Sequence, residues 1–382
     1  MRHKLVRLLF LFLLLTGTGS LLVLAAYTPN GRELVSLSYL EDVFFPQAVS
    51  TGEEVYEKRE NAAVETVEAS LNALDERTQF LLGAFDGTLT NSETLSGLRF
   101  KRDDVITLGT GSSFLLLAGE AQAVPSAGTV VDTTEGTELV SGAPLLPRHR
   151  YVAAEDTIAL VTIASDTAVL ALEGSYSLTP SEATDYNMLA DAMKAMGLFK
   201  GSDTGYGLGY DLEKAPTRIQ SLIMFLRLIG EEEAALNTAA ACPFSDVPAW
   251  CRPYVAYAYE QGYTKGISAT EFGPSLETRA TEYMTFVLRA LGYSDSGEHA
   301  DFAWDTALYK ALQIGVLTAR EHKQLTEQPF LRAQVVYVSY YALEARLKVT
   351  GKTLYTTLTA SGSLDADTAR EARSAVTTTR MR

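Results

Sequence analysis

Cysteine and histidine are scarce in this sequence, which has two cysteines and four histidines among 382 residues. A structural zinc site takes four such side chains at short spacing, and no segment offers that spacing. His149 stands between Arg148 and Arg150 without another histidine or cysteine nearby, so we interpret it as a surface residue. The sequence predicts no metal site and no cofactor.

The two cysteines, Cys242 and Cys251, lie nine positions apart. In an exported protein this spacing permits a disulfide that closes a small loop, and two separate half-buried thiols are the equal alternative. A disulfide also needs Cα atoms within about 7 Å of each other, which sequence spacing does not determine. The sequence alone leaves both interpretations open.

Catalytic signatures are absent as well. The sequence has no paired carboxylates, and no nucleophile with a base, in a pattern typical of an active site. The turn Gly109-Thr110-Gly111-Ser112 has neither the second half of a dinucleotide fingerprint nor the lysine of a P-loop, so we interpret it as a hairpin turn. We therefore expect a protein that is not an enzyme.

Basic residues are in the minority, with 32 lysines and arginines against 47 aspartates and glutamates and a formal net charge of −15. A surface of this sign repels phosphate backbones and anionic lipid headgroups. Nucleic acid and acidic membranes are therefore not expected partners. The hydrophobic content of 47% still favours packed cores, and the length allows more than one domain.

Residues 1–26 have the pattern of a secretory signal peptide, because three basic residues precede an uncharged stretch from residue 8 to residue 26. Cleavage after Ala25 or Ala26 would release the chain from the membrane. A retained stretch of this length would instead serve as a membrane anchor. Under both alternatives the bulk of the chain is expected outside the cell.

The next two segments differ in periodicity. Residues 27–99 are predicted as a helical segment, with the helix itself at 53–82. Residues 100–178 alternate with a period of two between glycine and proline turns, which predicts a small antiparallel β-sandwich or barrel. Residues 179–187 are predicted as a linker. The apolar positions at heptad-like spacing in the helix are Val64, Val67, Leu71, Leu74 and Leu81.

Residues 188–350 contain three copies of a helix–loop–helix unit, at 188–236, 243–293 and 298–345. In each copy an apolar helical stripe ends at a glycine, and a loop leads to a second helix. One unit is too small to bury its own stripes, and the unequal spacing of the copies favours a closed set over an open array.

The fold class predicted from these segments is α+β, with several domains. An N-terminal helix and a small antiparallel β-sandwich or barrel precede an all-α domain. Residues 351–382 have no apolar stripe and are predicted as a C-terminal tail that frays from Ser363 onward.

Each unit places an arginine in the first turn of its second helix, beside a loop that contains glycine: Arg218, Arg279 and Arg332. Free N–H groups and the helix dipole favour an anion there, and arginine adds a bidentate donor for a carboxylate. We call each of these helix starts, with its arginine and the adjacent loop, a corner. Three such corners would suit an acidic saccharide, with Trp250 and nearby tyrosines against the sugar rings. Alternatively, the arginines pair with nearby carboxylates and the aromatic residues belong to the core, which residue chemistry alone favours.

The middle unit resembles the S-layer homology motif. The matching positions are Phe244-Ser245-Asp246-Val247, Trp250, Tyr254-Val255, Gly262, Gly266, Phe272, Pro274, Thr278-Arg279-Ala280 and Arg289-Ala290-Leu291-Gly292. The resemblance extends over residues 190–345, with diverged copies on both sides, and leaves residues 100–178 unassigned.

The resemblance implies a pseudo-threefold helical domain whose grooves bind a secondary cell-wall polysaccharide, often one that carries ketal-linked pyruvate. It therefore implies an exported bacterial envelope protein held non-covalently at the cell wall or S-layer. The alternative is an envelope assembly protein whose diverged helical domain binds another envelope protein. The residues to which the resemblance assigns polymer binding are Thr217, Arg218, Asp246, Trp250, Gly266, Thr278, Arg279 and Arg332.

The three corners depart from the family pattern. Counting back 12 residues from the closing glycines gives Arg218 in the first unit but Ala280 in the middle one, which indicates that Arg279 is shifted by one position. The third unit has Leu331 in place of the threonine. We therefore expect Arg218, at the best-capped corner, to dominate binding, with one or two grooves inactive. The family glutamate after Thr-Arg-Ala corresponds in this alignment to Gln220, Thr281 and Gln334.

Overall fold

The computed structural model describes residues 37–86 and 89–382. The predicted signal peptide at 1–26 lies outside these residues. The chain divides into two units, residues 1–75 and 76–382. In the part of the chain described, no helix is both long and apolar enough to cross a membrane.

The N-terminal helix is longer than predicted. Helix α1 (Leu37–Tyr39) continues through a π-helical turn (Leu40–Phe44) into α2 (Phe45–Asp86). Pro46, which has no backbone N–H to donate, is the second residue after the π-helical turn, and the helix continues past it. The heptad-like side chains of Val64, Val67, Leu71 and Leu74 are exposed.

The β-rich region is one curled antiparallel sheet, a half-barrel. Its strands are β1 (Thr90–Lys101), β2 (Val105–Leu108), β3 (Ser113–Ala118), β4 (Ala121–Ala127), β5 (Val130–Asp132), β6 (Thr137–Glu138), β7 (Arg150–Ala153), β8 (Ile158–Ile163) and β9 (Thr167–Thr179). The strand order is β4-β8-β2-β9-β3-β7-β5-β6, and β1 also pairs with β9. N–H groups of Gly142 and Leu145 donate to the carbonyls of Ala123 and Ala121. The outer edge of β4 is thereby covered by the segment after β6.

The sheet begins before the predicted boundary at residue 100. Strand β1 starts at Thr90 and pairs along β9 from Thr90 with Tyr176 to Lys101 with Thr167. Most side chains of β1 are exposed and polar, so the apolar alternation that marks a half-buried strand is missing from its sequence. Of the predicted helical segment 27–99, the described part is helical only as far as Asp86.

In the other strands, apolar residues recur at every second position because these side chains point into the core of the sheet. Tyr151 is buried, stacks on Phe114 with ring centroids 5.4 Å apart, and its hydroxyl accepts the N–H of Leu146 at 2.8 Å. Burial of one large aliphatic side chain contributes about 1.5 to 3 kcal/mol. The fully buried aliphatic residues of this core include Ile106, Leu108, Leu116, Val161, Ile163, Leu170 and Leu172.

The helical domain contains three helix pairs. The first unit has α3 (Tyr186–Ala195), α4 (Arg218–Leu228) and the short α5 (Glu232–Leu236); the second has a 3-10 turn (Ala249–Cys251), α6 (Arg252–Glu260) and α7 (Ala280–Ala290). The third has a 3-10 turn (Trp304–Thr306), α8 (Ala307–Gln313), α9 (Ala319–Glu327) and α10 (Arg332–Ala342). The segment predicted as a linker joins β9 to α3.

The helix pairs close into a ring. The second helix of each pair packs on the first helix of another pair: α4 on α6, α7 on α8, and α10 on α3. The three second helices also contact one another. Phe225 of α4 stacks on Phe286 of α7 with centroids 5.2 Å apart, and the Tyr283 and Ser339 hydroxyls of α7 and α10 are hydrogen-bonded at 2.6 Å. This contact pattern is the closed set that the unequal repeat spacing predicts.

Residues 351–382 are folded, so the predicted frayed tail is wrong. Helices α11 (Leu354–Ser361) and α12 (Ala366–Ser374) pack their apolar side chains into the helical core. The side chains of Thr353 and Asp365 cap the two helices by accepting backbone N–H groups. Thr353 and Asp365 are sequence signals for these two helices, and a search for long apolar stripes does not detect them.

Glu232 at the start of α5 predicts an acid-sensitive contact. Arg227 and Lys200 donate to its carboxylate at 2.8 Å. Burial raises the pKa of Glu232, but these hydrogen bonds outweigh burial and lower the pKa to about 2, from an ordinary value of 4.5. Because the folded pKa is the lower one, ionised Glu232 stabilises the fold above the ordinary pKa, and this stabilisation disappears as the pH falls toward 2.

We therefore expect Glu232→Gln to lower the melting temperature at neutral pH and to reduce the further loss of stability between about pH 4.5 and pH 2. Thermal unfolding followed by circular dichroism across this range measures the effect. The exposed neighbour Glu233 provides the control variant Glu233→Gln. Identical pH profiles for the two variants would contradict the prediction.

Candidate functional site

The three corners differ in what occupies the helix cap. Thr217 caps α4: its hydroxyl accepts the N–H of Gln220, and the Gln220 side chain accepts the Thr217 N–H at 2.9 Å. This is the capping box that the sequence predicts. The cap of α7 is Arg279 itself, and the cap of α10 is Leu331. The predicted one-position shift of Arg279 is therefore confirmed.

Because Arg279 is the cap of α7, the third residue of this helix is Glu282. The Glu282 side chain accepts the N–H of Arg279 at 2.8 Å, as Gln220 does for Thr217 and Gln334 does for Leu331. Glu282, and not Thr281, is thus the middle unit's equivalent of Gln220 and Gln334. Comparison of the three copies by sequence missed Glu282, because it aligned Arg279 with Arg218 and Arg332.

Neighbouring loops satisfy the first N–H groups of two helices. Arg218 donates its backbone N–H to the Leu276 carbonyl at 2.7 Å, and Thr278 donates to the Pro216 carbonyl at 2.9 Å. In the same way, Arg332 donates to the Lys214 carbonyl at 2.9 Å. The expectation that free N–H groups attract an anion is therefore wrong for α4 and α10. The anion-binding capacity of these corners depends on side chains.

An open groove of about 520 Å³ lies at the middle corner. It is formed by the loop after α6, by α7, by the start of the third unit and by the first residue of α4. It contains four basic and two acidic side chains in a protein of net charge −15. The lining residues are Arg218, Thr264, Lys265, Gly266, Ile267, Arg279, Glu282, Thr285, Phe286, Arg289, Asp295 and Trp304.

Arg218 enters this groove from the first unit. Its side chain is 14% exposed, lies over the Phe272 ring at 5.2 Å and places Nη1 3.6 Å from a Glu282 carboxylate oxygen. Its buried Nε has no hydrogen-bond partner among the described residues. Burial lowers the pKa of Arg218, against the opposing charge of Glu282. A largely desolvated guanidinium without a close ion pair is well suited to bind a carboxylate.

Arg279 and Trp304 form the exposed wall of the groove. The Arg279 guanidinium lies 5.5 Å from the centre of the Trp304 ring, and its Nη2 lies 3.7 Å from Glu282. The Trp304 side chain is 52% exposed. A flat aromatic surface beside a cation can contact a sugar ring and its acidic substituent together.

Trp250, the aromatic residue selected from the sequence, is exposed and does not line the groove. It belongs to the 3-10 turn before α6, and Trp304 belongs to the corresponding turn before α8. Trp304 could have been selected by carrying the Trp250 position from the second unit to the third.

Arg289 is already held by the protein. Its Nε and Nη2 donate to the two carboxylate oxygens of Asp295 at 2.9 and 2.6 Å, and Nη1 donates to the Tyr263 carbonyl. Burial opposes ionisation of Asp295, but the hydrogen bonds from Arg289 outweigh it and lower the pKa of Asp295. This pair fixes the floor of the groove and leaves Arg218, Lys265 and Arg279 as the cations that face a ligand.

Three other predicted site residues shape the corner. The Asp246 carboxylate accepts the N–H groups of Phe272 and Gly273 at 2.9 and 2.7 Å. Thr278 is buried and ties its loop to Pro216. Gly266 has a φ of +77°, and a Cβ there would lie 2.3 Å from the Phe244 ring. Asp246 and Thr278 support the groove from behind, and Gly266 lies on its wall.

The corresponding space in the first unit is filled. The cavity beside Arg332 and Gln220 has a volume of about 20 Å³, because Phe199 and Met224 occupy the corner. Burial lowers the pKa of Arg332, opposed by the charges of Asp211 and Glu213. Thr217 and Arg332 therefore belong to closed corners.

The third unit is occupied by the chain itself. Arg380 pairs with Glu321 at 2.7 Å, and the Met381 N–H donates to the Tyr337 hydroxyl at 2.9 Å. The middle corner thus combines an open groove with two guanidinium groups that lie more than 3.5 Å from the carboxylate they face.

Both cysteines are free thiols. Cys251 is buried and its Sγ lies 3.4 Å from the Pro248 carbonyl, while Cys242 Sγ lies 3.8 Å from the Phe244 carbonyl. Each thiol is directed to a nearby carbonyl, so the structure has the two-thiol alternative and not the disulfide. Burial raises the pKa of the Cys251 thiol.

No family model matches the chain. It is 32% identical over 89 residues to a cell surface protein of Thermoanaerobacter kivui, covering 22% of this chain and 12% of that protein. It is 28% identical over 141 residues to the middle cell wall protein of Brevibacillus brevis, covering 36% of this chain and 13% of that protein. The chain thus matches only about an eighth of each relative's length. Over part of its sequence, the chain is similar to proteins named for the cell surface and the cell wall.

Proposed function

We propose that this chain is a bacterial cell-envelope protein whose helical domain binds an acidic cell-wall polysaccharide in the middle groove. The observation that carries the proposal is the cationic groove that Arg218 and Arg279, neither of them in a close ion pair, line together with the exposed Trp304. The similarity to a cell surface protein and a cell wall protein supports the envelope location. The closed ring of three helix pairs supports the interpretation of residues 188–350 as a pseudo-threefold domain of the S-layer homology type.

In this proposal, Arg218 and Arg279 bind the acidic substituent and Trp304 contacts a sugar ring. Glu282 lies 3.6 Å from Arg218 and 3.7 Å from Arg279, so it holds both guanidinium groups at the groove without a close ion pair to either. A compact carboxylate on a sugar, such as ketal-linked pyruvate, matches the fork of a guanidinium. The polymer is therefore recognised by charge and by shape.

Binding without catalysis is the second part of the proposal. Hydrolysis of a glycosidic bond needs one protonated and one ionised carboxyl group on either side of the bond. In the groove Asp295 is engaged by Arg289, which helps to lower its pKa, and the Glu282 carboxylate accepts the Arg279 N–H. Both carboxylates are thus engaged by donors of the protein itself, which does not favour an acid and base pair.

The alternative function is assembly with another envelope protein through the helical domain. The filled corner of the first unit and the occupied corner of the third favour it, because a helical domain with a single open corner among its three binds a repeating polymer with low avidity.

Co-sedimentation of the chain without residues 1–26 with purified cell walls tests the two functions. We expect the chain to pellet with protease-treated walls that retain their polysaccharide, and to stay soluble with walls from which it has been extracted. Binding should weaken at high salt, because the contacts are between charges. Equal recovery in the supernatant with both wall preparations would contradict polymer binding. Loss of binding after protease treatment would favour the protein partner.

A further inference from the structure

The guanidinium of Arg380 occupies a built pocket in the third unit. Its Nε and Nη2 donate to the two carboxylate oxygens of Glu321 at 2.7 and 2.8 Å, and Nη2 also donates to the Val316 carbonyl at 2.6 Å. The Glu321 side chain is 1% exposed, and the guanidinium lies 5.0 Å from the centre of the Tyr341 ring. One arginine is thus bound by a buried carboxylate, a carbonyl and an aromatic face.

Arg380 takes the place of an arginine that the other two units carry on their own second helices. The tenth residue of α4 is Arg227, which pairs with Glu232, and the tenth residue of α7 is Arg289, which pairs with Asp295. The tenth residue of α10 is Tyr341. In the third unit, therefore, the guanidinium comes from a distant segment.

Backbone contacts extend the recognition beyond the arginine. The N–H of Met381 donates to the Tyr337 hydroxyl at 2.9 Å, and the Thr318 hydroxyl donates to the Met381 carbonyl at 2.8 Å. Upstream, the Thr378 hydroxyl accepts the N–H of Asp185 at 3.1 Å. Residues 377–382 contain no helix or strand, so the segment is held by individual contacts, as a bound peptide is held.

We propose that the third unit is a docking site for an arginine-bearing peptide, occupied by residues 377–382 of the same chain and able to exchange them for the same segment of a second copy. Exchange of identical segments makes the same contacts in the new position, so its cost is small. The proposal is independent of polysaccharide binding in the middle groove.

The charge of the pocket fixes the class of its ligand. Without Arg380, the Glu321 carboxylate keeps the N–H of Thr318 and the Tyr337 hydroxyl as donors but loses its counter-charge. An unpaired buried carboxylate selects a cation and rejects an acidic polymer. A planar guanidinium also satisfies the bidentate geometry, which an ammonium does not.

A fluorescent peptide with the sequence of residues 375–382 tests the proposal on full-length chains. We expect it to bind the Arg380→Ala chain at least about tenfold more tightly than the parent, whose pocket is occupied. The same peptide with Arg380→Ala should not bind, while the peptide with Arg382→Ala should bind normally. Adding Glu321→Gln to the Arg380→Ala chain should abolish binding. Equal binding to the parent and to Arg380→Ala, or binding that survives Glu321→Gln, would overturn the proposal.

A measurement on the parent chain avoids any effect of substitution on folding. Hydrogen exchange followed by mass spectrometry is expected to show a protected Met381 amide, because this N–H is bonded to Tyr337. Excess parent peptide should remove the protection, and excess Arg380→Ala peptide should not. A Met381 amide that stays protected at saturating parent peptide would mean that the segment does not exchange, and the proposal would be wrong.

Discussion

Arg218→Ala is expected to weaken binding of the wall polysaccharide by at least about tenfold. The Arg218 guanidinium lines the middle groove without a close ion pair, since its Nη1 lies 3.6 Å from Glu282, and a charge-assisted hydrogen bond contributes about 1.5 to 3 kcal/mol. Arg218→Lys should recover only part of the affinity, because an ammonium does not form the planar fork. Titration calorimetry against purified polysaccharide measures both variants.

The matched control is Arg332→Ala. Arg332 is the first residue of α10, as Arg218 is the first residue of α4, but it lines a cavity of only about 20 Å³. We expect Arg332→Ala to keep the parent's affinity, with circular dichroism to verify that each variant folds. If Arg218→Ala bound like the parent while Arg279→Ala lost binding, then the exposed wall, and not Arg218, would carry recognition.

Gly266→Ala is expected to destabilise the helical domain by about 2 to 5 kcal/mol and to reduce polymer binding. Its φ of +77° disfavours a side chain, which costs about 1 to 2 kcal/mol. A Cβ would also lie 2.3 Å from the Phe244 ring and 2.7 Å from the Glu271 carbonyl oxygen. Overpacking of this kind costs typically about 1 to 3 kcal/mol. Chemical denaturation measures the loss.

Gly262→Ala separates the two contributions to that loss. Gly262 has a φ of +75°, but a Cβ there would meet no atom within 4 Å. We expect this variant to show only the backbone cost, and therefore a smaller loss of stability than Gly266→Ala. Equal losses for the two variants would show that the Phe244 contact relaxes freely and that the loop is less rigid than its packing indicates.

Local features of the helical domain could be predicted from the sequence. The capping box of Thr217 and Gln220 uses residues three positions apart, and the shift of Arg279 follows from a count to the closing glycine. These signals are local because a helix end is defined by a few consecutive residues. The same property explains why Thr353 and Asp365 could have indicated the two helices of the supposed tail.

The groove itself could not be predicted, because three units build it. Arg218 comes from the first unit, Lys265 from the second and Trp304 from the start of the third. The sequence predicts a separate site at each corner. In the folded chain the middle corner is open, whereas Phe199 and Met224 fill the corner of the first unit. Strand β1 was missed for a related reason: it is held by backbone pairing with β9, and its polar side chains carry no periodic pattern.

The ring of helix pairs has a consequence for folding kinetics. Helix α3 packs on α10, although the first begins at Tyr186 and the second ends at Ala342. Contacts between such distant segments form slowly, because the intervening chain must lose conformational freedom before the contact forms. The apolar face of α3 therefore stays exposed until the last unit folds. A chain interrupted after the second unit would expose that face, and we expect it to require chaperone protection or to aggregate.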